Sequence, residues 1–265
     1  MKLAFIGGDM RCENAAKYLE KSGFEICFVK SPGDMYMLKD ADAVILGVVS
    51  VDEYGRILGS GCNISYTDLV KLMPEDVPVI GGRLPCYAGH KCADVLQRED
   101  FAMLNAAITA EGAVMLAVQN TRFSIYGSNI LICGFGRIGK LLAHRLSVFG
   151  CGITCSMRKS SDAAFCSALG YNFIFTDEIS NIAESCDIIF NTIPHTVIDE
   201  RVISRLKPGS VIIELASKPG GVCLDCAEKY GIEVIDGGSL PGRFSPLTAG
   251  EIYGLTIENI LKEGV

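Results

Sequence analysis

Short apolar runs alternate with helical patterns along the whole chain, and this alternation constrains the fold more than any other feature. Runs such as Leu3–Ile6 have the composition of buried strands, and Cys12–Ser22 shows the 3.6-residue spacing of an amphipathic helix. Nearly continuous apolar strands separated by helices are typical of a parallel sheet covered on both faces. The sequence therefore predicts an α/β protein with doubly wound parallel sheets.

The alternation falls into two series. The strands predicted in the first are Leu3–Ile6, Glu25–Val29, Ala43–Gly47 and Pro78–Gly81. Those predicted in the second are Asn129–Cys133, Gly152–Ser156, Asn172–Phe175, Asp187–Asn191, Val211–Leu215 and Glu233–Asp236. A helix over Phe101–Val118 joins the series, and a helix over Thr248–Lys262 is free to return to the first. We predict two Rossmann-like domains with a cleft between them: a flavodoxin-like substrate domain at 1–105, to which the helix in 248–265 returns, and a cofactor domain at 106–247 that includes the joining helix.

The charge balance and the hydropathy pattern exclude several classes of protein. The 265 residues include 31 Asp and Glu against 24 Lys and Arg, so the excess positive charge of a nucleic-acid-binding surface is missing. Charged residues, Gly or Pro interrupt the hydrophobic stretches before the roughly 20 residues that a membrane span needs, so we expect no membrane partner. The start of the chain is typical of a buried strand rather than of a signal peptide. These patterns predict a cytoplasmic protein.

The twelve cysteines are scattered and lie largely within or beside predicted strands. They are typical of small buried hydrophobic residues in a reducing compartment. Cys223 and Cys226 form a Cys-x-x-Cys pair, but a structural zinc site needs four ligands from two close pairs. The other close pair, Cys151 and Cys155, belongs to a predicted strand and the residues before it. We therefore predict no metal site.

The strongest local signal is the motif Gly134-x-Gly136-x-x-Gly139. It directly follows a predicted strand and opens a helical pattern, which is the context in which this motif binds a dinucleotide. Gly134 permits a tight turn, Gly136 lets a pyrophosphate approach the backbone, and Gly139 lets the helix pack on the strand. The predicted cofactor contacts of this loop are Gly134, Phe135, Gly136, Arg137, Ile138 and Gly139. A glycine turn that holds no ligand is the alternative.

The loop after the next strand distinguishes two dinucleotides. An NAD enzyme places Asp or Glu there to accept hydrogen bonds from the ribose. This chain has Arg158 and Lys159 among hydroxyl-bearing residues, and its first carboxylate is Asp162. Cations and hydroxyls suit a 2′-phosphate, so we predict NADP rather than NAD, with a solvated basic loop as the alternative. The predicted contacts are Ser156, Met157, Arg158, Lys159 and Ser160.

Two further loops leave strands at the same predicted edge of the sheet. Ligands of doubly wound sheets lie beyond the carboxyl ends of the strands, so both loops should face the nicotinamide ring. The first contributes the predicted cofactor contacts Asn191, Thr192, Ile193 and Pro194. The predicted catalytic residues are His195 as proton acceptor and Lys218 as a carboxylate holder. For His195, a solvent-facing loop histidine stays the alternative.

The first series offers groups for an anionic substrate. Gly7-Gly8-Asp9-x-Arg11 follows the first strand and resembles an anion-binding turn, in which exposed N–H groups and Arg11 would hold a carboxylate. Arg83 has a similar place after another strand, and a surface ion pair is the alternative for both arginines. The predicted substrate contacts are Gly8, Asp9, Arg11, Arg83 and Arg243.

Further motifs are spread along the chain. They are Gly7-Gly8-Asp9-x-Arg11, Leu104-Asn105, Thr109–Ala113, Gly127–Asn129, Asn191–Pro194, Leu215–Gly221, and Leu240–Gly242 followed by Pro246-x-Thr248–Glu251. Together they resemble the family of bacterial dipicolinate synthase A subunits. The resemblance implies oxidation of dihydrodipicolinate, a small dicarboxylate derived from the lysine pathway, to dipicolinate with NADP in the mother cell of a sporulating bacterium. It also implies a partner, the flavoprotein-like B subunit, and homo-oligomerisation stays open.

The layout is more distantly similar to D-2-hydroxyacid dehydrogenases, with two departures. Lys218 stands where those enzymes have Arg, and Leu247-Thr248 stands before Ala249-Gly250, where they have a catalytic His. Oxidation of a hydroxyl needs a general base to accept its proton, whereas for an aromatising oxidation a modest base or even water could suffice. Two alternatives remain: a non-catalytic, nucleotide-binding regulatory protein of the same complex, and a D-2-hydroxyacid dehydrogenase with a displaced base. Dehydration of a 4-hydroxy precursor by this chain stays undecided.

Overall fold

The computed structural model describes residues 1–85 and 90–265. Its strands are β1 (Lys2–Ile6), β2 (Glu25–Val29), β3 (Ala43–Ile45), β4 (Val79–Gly81), β5 (Cys92–Asp94), β6 (Asn129–Cys133), β7 (Gly152–Met157), β8 (Asn172–Phe175), β9 (Ile188–Asn191), β10 (Val211–Glu214) and β11 (Glu233–Asp236). Its α-helices are α1 (Met10–Lys21), α2 (Tyr66–Leu72), α3 (Glu99–Asn120), α4 (Arg137–Leu146), α5 (Ser160–Ala168), α6 (Glu200–Ile203), α7 (Leu224–Tyr230), α8 (Leu240–Phe244) and α9 (Pro246–Glu263). Short 3₁₀ helices lie at Pro32–Asp40, Val95–Gln97, Ser147–Phe149, Thr176–Asn181 and Ala183–Ser185.

The chain divides into two compact units. The first contains residues 1–105 and 241–265, and the second contains residues 106–240. The predicted cleft between the two stays a prediction.

The sheet of the first unit is parallel, with the order β2-β1-β3-β4-β5. This is the flavodoxin-like order, in which the chain reverses direction across the sheet at β1 and β3. Alternate residues of β1 enter different cores, because successive side chains of a strand point to opposite faces. Leu3 and Phe5 pack in the core beneath α1 and α9, and Ala4 and Ile6 pack in the core on the other face. The predicted doubly wound architecture is confirmed for this unit.

Helix α9 completes the first unit by packing closely along α1. At Gly250 a Cβ atom would overlap Asn14 and lie 2.7 Å from the carbonyl oxygen of Arg11. Between the helices and the sheet, Tyr253 is fully buried and its hydroxyl donates to the carbonyl oxygen of Leu46 at 2.5 Å. The core of residues 1–105 therefore depends on a helix that lies more than 100 residues later in the sequence.

The sheet of the second unit has the order β11-β10-β9-β6-β7-β8, and every pairing in it is parallel. Numbered within the unit, this is the 6-5-4-1-2-3 order of the Rossmann fold, whose switch point lies between β6 and β9. The carboxyl ends of β6, β7 and β9 therefore meet at one edge, where the predicted cofactor loops lie.

The ten predicted strands are confirmed to within two residues at each end, but β5 was not predicted. Its three residues are only partly buried or exposed, so they lack the apolar run that marks the other strands. The expectation for membrane-spanning stretches also needs correction. Helix α3 is long and apolar enough to span a membrane by length and composition, because Glu111 alone interrupts its most apolar part. Half of that part is buried inside the protein, and one helix of this kind is weak evidence for a membrane span, because buried core helices pass the same test.

The close packing of α9 on α1 predicts that Gly250→Ala destabilises the first unit. Overpacking costs about 1–3 kcal/mol, against which the better helix propensity of Ala returns up to roughly 1 kcal/mol. We expect a net loss of unfolding free energy in urea titrations. Gly33→Ala is the matched control, because its new Cβ would meet only Ser31 Oγ, at 3.6 Å, among the described residues. Equal stability of the two variants would contradict the packing argument.

Candidate functional site

The glycine loop between β6 and α4 has a different steric requirement at each glycine. Gly134 has a φ of +97°, and a Cβ there would overlap Thr192 Oγ1. A Cβ at Gly139 would overlap the carbonyl oxygen of Gly134, so α4 can approach β6 only without a side chain at this position. Gly136 is exposed, and a Cβ there would meet no described atom within 4 Å. Each glycine thus has the role predicted for it: Gly134 forms the turn, Gly139 allows the helix to pack, and Gly136 leaves the approach to the backbone open.

This loop fits the diphosphate of a dinucleotide. Gly136 is the N-cap of α4 and, as a glycine, makes no side-chain cap hydrogen bond. The start of a helix and its dipole favour an anion at this position. The side of Gly136 from which an anion would approach is open.

A pocket of about 180 Å³ lies beside the loop. Its lining residues are Gly134, Phe135, Gly136, Met157, Arg158, Lys159, Asp162, Thr176 and Ile193. Seven of these nine were predicted as cofactor contacts. Asp162 and Thr176 were not, and the Thr176 hydroxyl is buried without a hydrogen-bond partner among residues 1–85 and 90–265.

The charges around this pocket are unequal. Arg158 and Lys159 are exposed, and neither forms an ion pair within the described part of the chain. Asp162 faces Lys140, with Oδ1 3.8 Å from Nζ. Lys140 also lies over the ring of Phe165, 5.0 Å from its centroid. Since Lys140 offsets the carboxylate, the two cations of the β7 loop set the sign of the local potential.

Three predicted cofactor contacts hold the loops in place. Ser156 is fully buried, and its carbonyl oxygen accepts from the Gly134 N–H at 3.1 Å. Thr192 Oγ1 donates to the carbonyl oxygen of Cys133 at 2.8 Å. Asn191 is fully buried and donates to the carbonyl oxygen of Ile193 at 3.0 Å. These contacts give Ser156 and Asn191 a part in positioning the loops, and their predicted contacts with the cofactor stay predictions.

The Glu214 carboxylate joins the two loops that were predicted to face the nicotinamide ring. One oxygen accepts from Asn191 Nδ2 at 2.8 Å and from the Ala216 N–H at 2.9 Å. The other accepts from the Gly221 N–H at 2.8 Å. Sequence reasoning did not assign Glu214 a role, although a carboxylate that ends a buried apolar strand and precedes a loop of small residues is a usable signal for such an acceptor.

His195 and Lys218 lie on these two loops. Both are exposed, and neither side chain has a hydrogen-bond or ion-pair partner among the described residues. The backbones of the loops are close, since a Cβ at Gly221 would lie 2.8 Å from the carbonyl oxygen of His195. The structure therefore brings the His195 loop and the Lys218 loop together, and the catalytic roles of the two side chains stay predictions.

The Gly7-Gly8 turn of the first unit differs from the predicted anion site. The Gly8 N–H donates to the carbonyl oxygen of Leu58 at 2.8 Å, and Gly59 packs against Gly8. The N–H group that was expected to be exposed is therefore occupied, which corrects that expectation, and the contact of Gly8 with a carboxylate stays a prediction.

Arg11 is committed to Asp9. The Arg11 guanidinium is nearly buried and donates to both carboxylate oxygens of Asp9, with Nη2 2.7 Å from Oδ2. Burial alone would raise the pKa of Asp9, but hydrogen bonds and charge from Arg11 outweigh it and lower that pKa below 3.8. Asp9 is thus ionised at neutral pH, and it is a partner of Arg11 rather than a ligand for an anion.

A cavity of about 670 Å³ opens beside this turn, between α1 and the end of β2. The charged residues that line it are Asp9, Glu13, Lys17, Glu20 and Lys30. Three carboxylates against two lysines do not favour a dianion. The volume alone does not make this cavity the site of an anionic substrate.

The other two predicted substrate arginines are at the surface. Arg83 follows β4 with a left-handed φ of 55°, an uncommon conformation for a residue with a side chain. Arg243 is exposed and lies over the ring of Phe244, 5.3 Å from its centroid. Its neighbour Gly242 packs on Arg11, where a Cβ would be 3.2 Å from Nε. Their roles toward a substrate stay predictions.

The cysteines include one departure from the reduced state that was predicted. Cys223 and Cys226 form a disulfide at the start of α7. The other nine described cysteines are free. A Cys-x-x-Cys spacing permits either a metal ligand pair or a redox pair, and here the two sulfurs bond to each other.

Comparison with known proteins is consistent with this geometry. Residues 107–219 match the family of D-isomer specific 2-hydroxyacid dehydrogenases, NAD binding domain. The chain is 29% identical to the A subunit of dipicolinate synthase from Bacillus subtilis (strain 168), over 99% of this chain and 96% of that protein.

Solved structures give the same result. The crystal structure of the dipicolinate synthase A subunit from Bacillus halodurans superposes with a TM-score of 0.90 at 26% identity, covering 100% of this chain and 98% of that one. Its Bacillus subtilis counterpart superposes with a TM-score of 0.87 at 28% identity, covering 99% and 96%. D-lactate dehydrogenase from Escherichia coli shares the fold at 17% identity, with a TM-score of 0.65 over 100% and 98%. The chain is therefore similar over its whole length to the A subunit of dipicolinate synthase, and its residues 107–219 resemble the NAD binding domain of D-2-hydroxyacid dehydrogenases, which supports an oxidoreductase.

Proposed function

We propose that this chain oxidises dihydrodipicolinate to dipicolinate with NADP, in the cytoplasm of the mother cell of a sporulating bacterium, together with a flavoprotein-like B subunit. The whole-length similarity to the A subunit of dipicolinate synthase supports the reaction. The observation that carries the choice of coenzyme is the pair of cations Arg158 and Lys159 in the pocket at the end of β7, which have no ion-pair partner among the described residues.

The residues of the second unit would hold the coenzyme in two ways. The backbone N–H groups after Gly136 receive the diphosphate at the start of α4. Arg158 and Lys159 receive the 2′-phosphate through charge-assisted hydrogen bonds. The Glu214 carboxylate keeps the Asn191 and Gly221 loops in place beside the reacting end.

The carboxylate of Asp162 favours the competing coenzyme, because NAD enzymes place an acidic group near the ribose. Lys140 pairs with this carboxylate and offsets its charge. Arg158 and Lys159 have no such partner in the described part of the chain, so their positive charge is not balanced within the protein. The 2′-phosphate of NADP would balance it, whereas the 2′-hydroxyl of NAD would not. This asymmetry supports NADP.

The reaction removes two hydrogens from adjacent ring atoms and produces an aromatic product, with the balance dihydrodipicolinate + NADP⁺ → dipicolinate + NADPH + H⁺. The bound coenzyme supplies the acceptor for the hydride. His195 accepts the proton, a role supported by its place on a loop whose backbone lies close to Gly221 on the loop that Glu214 holds. Lys218, on the neighbouring loop, holds a substrate carboxylate as a point charge.

A non-catalytic role within the same complex is the second candidate. It is favoured by the exposure of His195 and Lys218, because no described residue orients either side chain as a catalytic base is usually oriented. In this case the chain binds the nucleotide and the B subunit completes the site.

The cations of the β7 loop predict the effect of Arg158→Ala. Loss of a charge-assisted hydrogen bond of about 1.5–3 kcal/mol corresponds to roughly 10- to 150-fold weaker binding of NADPH. NADH affinity should be unchanged, because its ribose has no phosphate for Arg158 to contact. Calorimetric titration of both coenzymes measures this directly. Arg201→Ala, an exposed cation on α6, controls for net charge, and an equal loss for NADPH and NADH would contradict the assignment.

Because Gly136 and Gly139 have different surroundings, substitution by alanine should affect a different property at each position. Gly136→Ala should leave the thermal stability of the chain unchanged, since its Cβ meets open space, but should weaken NADPH binding because that space is needed by the diphosphate. Gly139→Ala should lower the melting temperature, because its Cβ overlaps the Gly134 carbonyl oxygen. Thermal unfolding and coenzyme titration of both variants separate the two roles, and unchanged NADPH affinity of Gly136→Ala would exclude the loop as the diphosphate site.

The reaction itself is tested with freshly generated dihydrodipicolinate and NADP, by following NADPH and dipicolinate absorbance. We expect turnover by the chain on its own, which the B subunit increases. Activity only when the B subunit is present would favour the non-catalytic candidate. Reduction of 2-keto acids with NADPH, without dipicolinate formation, would instead identify a D-2-hydroxyacid dehydrogenase.

A further inference from the structure

Cys223 and Cys226 differ from most other described cysteines in their environment. Five of the nine free cysteines are buried. Burial raises the pKa of these thiols, for example to about 12 for Cys12 and about 11 for Cys186, so they contain little of the reactive thiolate. Cys223 and Cys226 are already joined to each other and are only partly buried.

One side of this disulfide is open to solvent. The two residues that it encloses, Leu224 and Asp225, are exposed, and 63% of the Leu224 surface is accessible. The other side packs on the apolar cluster that contains Ile198 and Ala227. A small thiol can therefore approach from the outside while the protein core holds the two cysteines 5.3 Å apart at Cα.

Hydrogen bonds connect the disulfide to the loops of the candidate site. The Cys223 N–H donates to the carbonyl oxygen of Ile198 at 3.0 Å, and the Ile198 N–H donates to that of Gly221 at 3.0 Å. Gly221 in turn donates its N–H to Glu214, which holds Asn191. The segment 217–222, which carries Lys218, thus ends at a cysteine that the disulfide ties to the first turn of α7.

We propose that Cys223 and Cys226 form a reversible dithiol–disulfide couple that controls the order of segment 217–222, and through it the affinity of the second unit for its coenzyme. The disulfide limits the conformations of segment 217–222 before the coenzyme binds. Binding to the oxidised form therefore costs less conformational entropy, and the oxidised form binds the coenzyme more tightly. The affinity part rests on the proposed function. The exchange and the ordering of the segment do not.

The reductant is a low-molecular-weight thiol. Its thiolate attacks one sulfur of the pair, which breaks the S–S bond, forms a mixed disulfide and releases the other cysteine as a thiolate. A second molecule of the same thiol then attacks the external sulfur of the mixed disulfide and frees the remaining cysteine. In total two external thiols are oxidised to one disulfide, and Cys223 and Cys226 each gain one electron and one proton.

The test compares the two redox states of the unmodified full-length chain. The protein is equilibrated in glutathione buffers from oxidised to reduced, trapped with N-ethylmaleimide, and analysed by peptide mass spectrometry. We expect Cys223 and Cys226 to become alkylated together, and the amides of residues 216–223 to exchange hydrogen faster in the reduced form. We also expect the Kd for NADPH to rise by about fivefold on reduction, a typical size for coupling between two sites.

The double variant Cys223→Ser with Cys226→Ser should bind NADPH equally in both buffers, whereas Cys92→Ser, which removes an exposed free cysteine, should keep the difference. A pair that is never reduced, or reduction without a change in amide exchange, would overturn the couple as a control of the segment. Faster exchange with unchanged NADPH affinity would overturn its effect on the coenzyme. If NADPH binds in neither redox state, the proposed function is contradicted. The amide-exchange measurement then still shows whether the Cys223–Cys226 pair controls the order of segment 217–222.

Discussion

The approach of α4 to β6 is the constraint on which the candidate site depends. It requires a bare backbone at Gly139, since the carbonyl oxygen of Gly134 occupies the place of a side chain. Because the helix starts immediately after Gly136, this contact also determines where its first N–H groups point. The same contact thus holds α4 against the sheet and positions the helix end that we propose receives the diphosphate.

The polar residues around this loop divide into two groups by burial. Ser156 and Asn191 are fully buried. Ser156 accepts a hydrogen bond from the Gly134 N–H, and Asn191 donates to the carbonyl oxygen of Ile193 and to the Glu214 carboxylate. Arg158 and Lys159 are exposed and have no ion-pair partner within the described part of the chain. The first group makes the shape of the site and the second is available to a ligand. Buried polar groups must be satisfied inside the protein, so their presence near a site does not show that they contact what binds there.

The parts of the fold that follow from local patterns were predictable from the sequence. Apolar strands such as β6 and β9 are buried on both faces, so their runs are nearly unbroken, and the glycine spacing reflects sterics within one short segment. The three-residue edge strand β5 has neither signal. The occupied N–H of Gly8 could not be predicted, because its partner Leu58 lies 50 residues away and no pattern connects the two. The Lys140–Asp162 pair was missed for the same reason, since it joins two different helices.

The first unit is built from two segments that are far apart in the sequence, and this affects how the chain folds during synthesis. Residues 1–105 leave the ribosome long before α9, whose Tyr253, Ile257 and Ile260 belong to the same core as Leu3 and Phe5. Until α9 emerges, one face of the early sheet is covered only in part, by α1, whereas residues 106–240 already form a continuous unit. Domains generally fold as units during translation, so the later segment of this chain can reach its native state before the earlier one. The nascent N-terminal half is thus the part that needs protection from aggregation while translation proceeds.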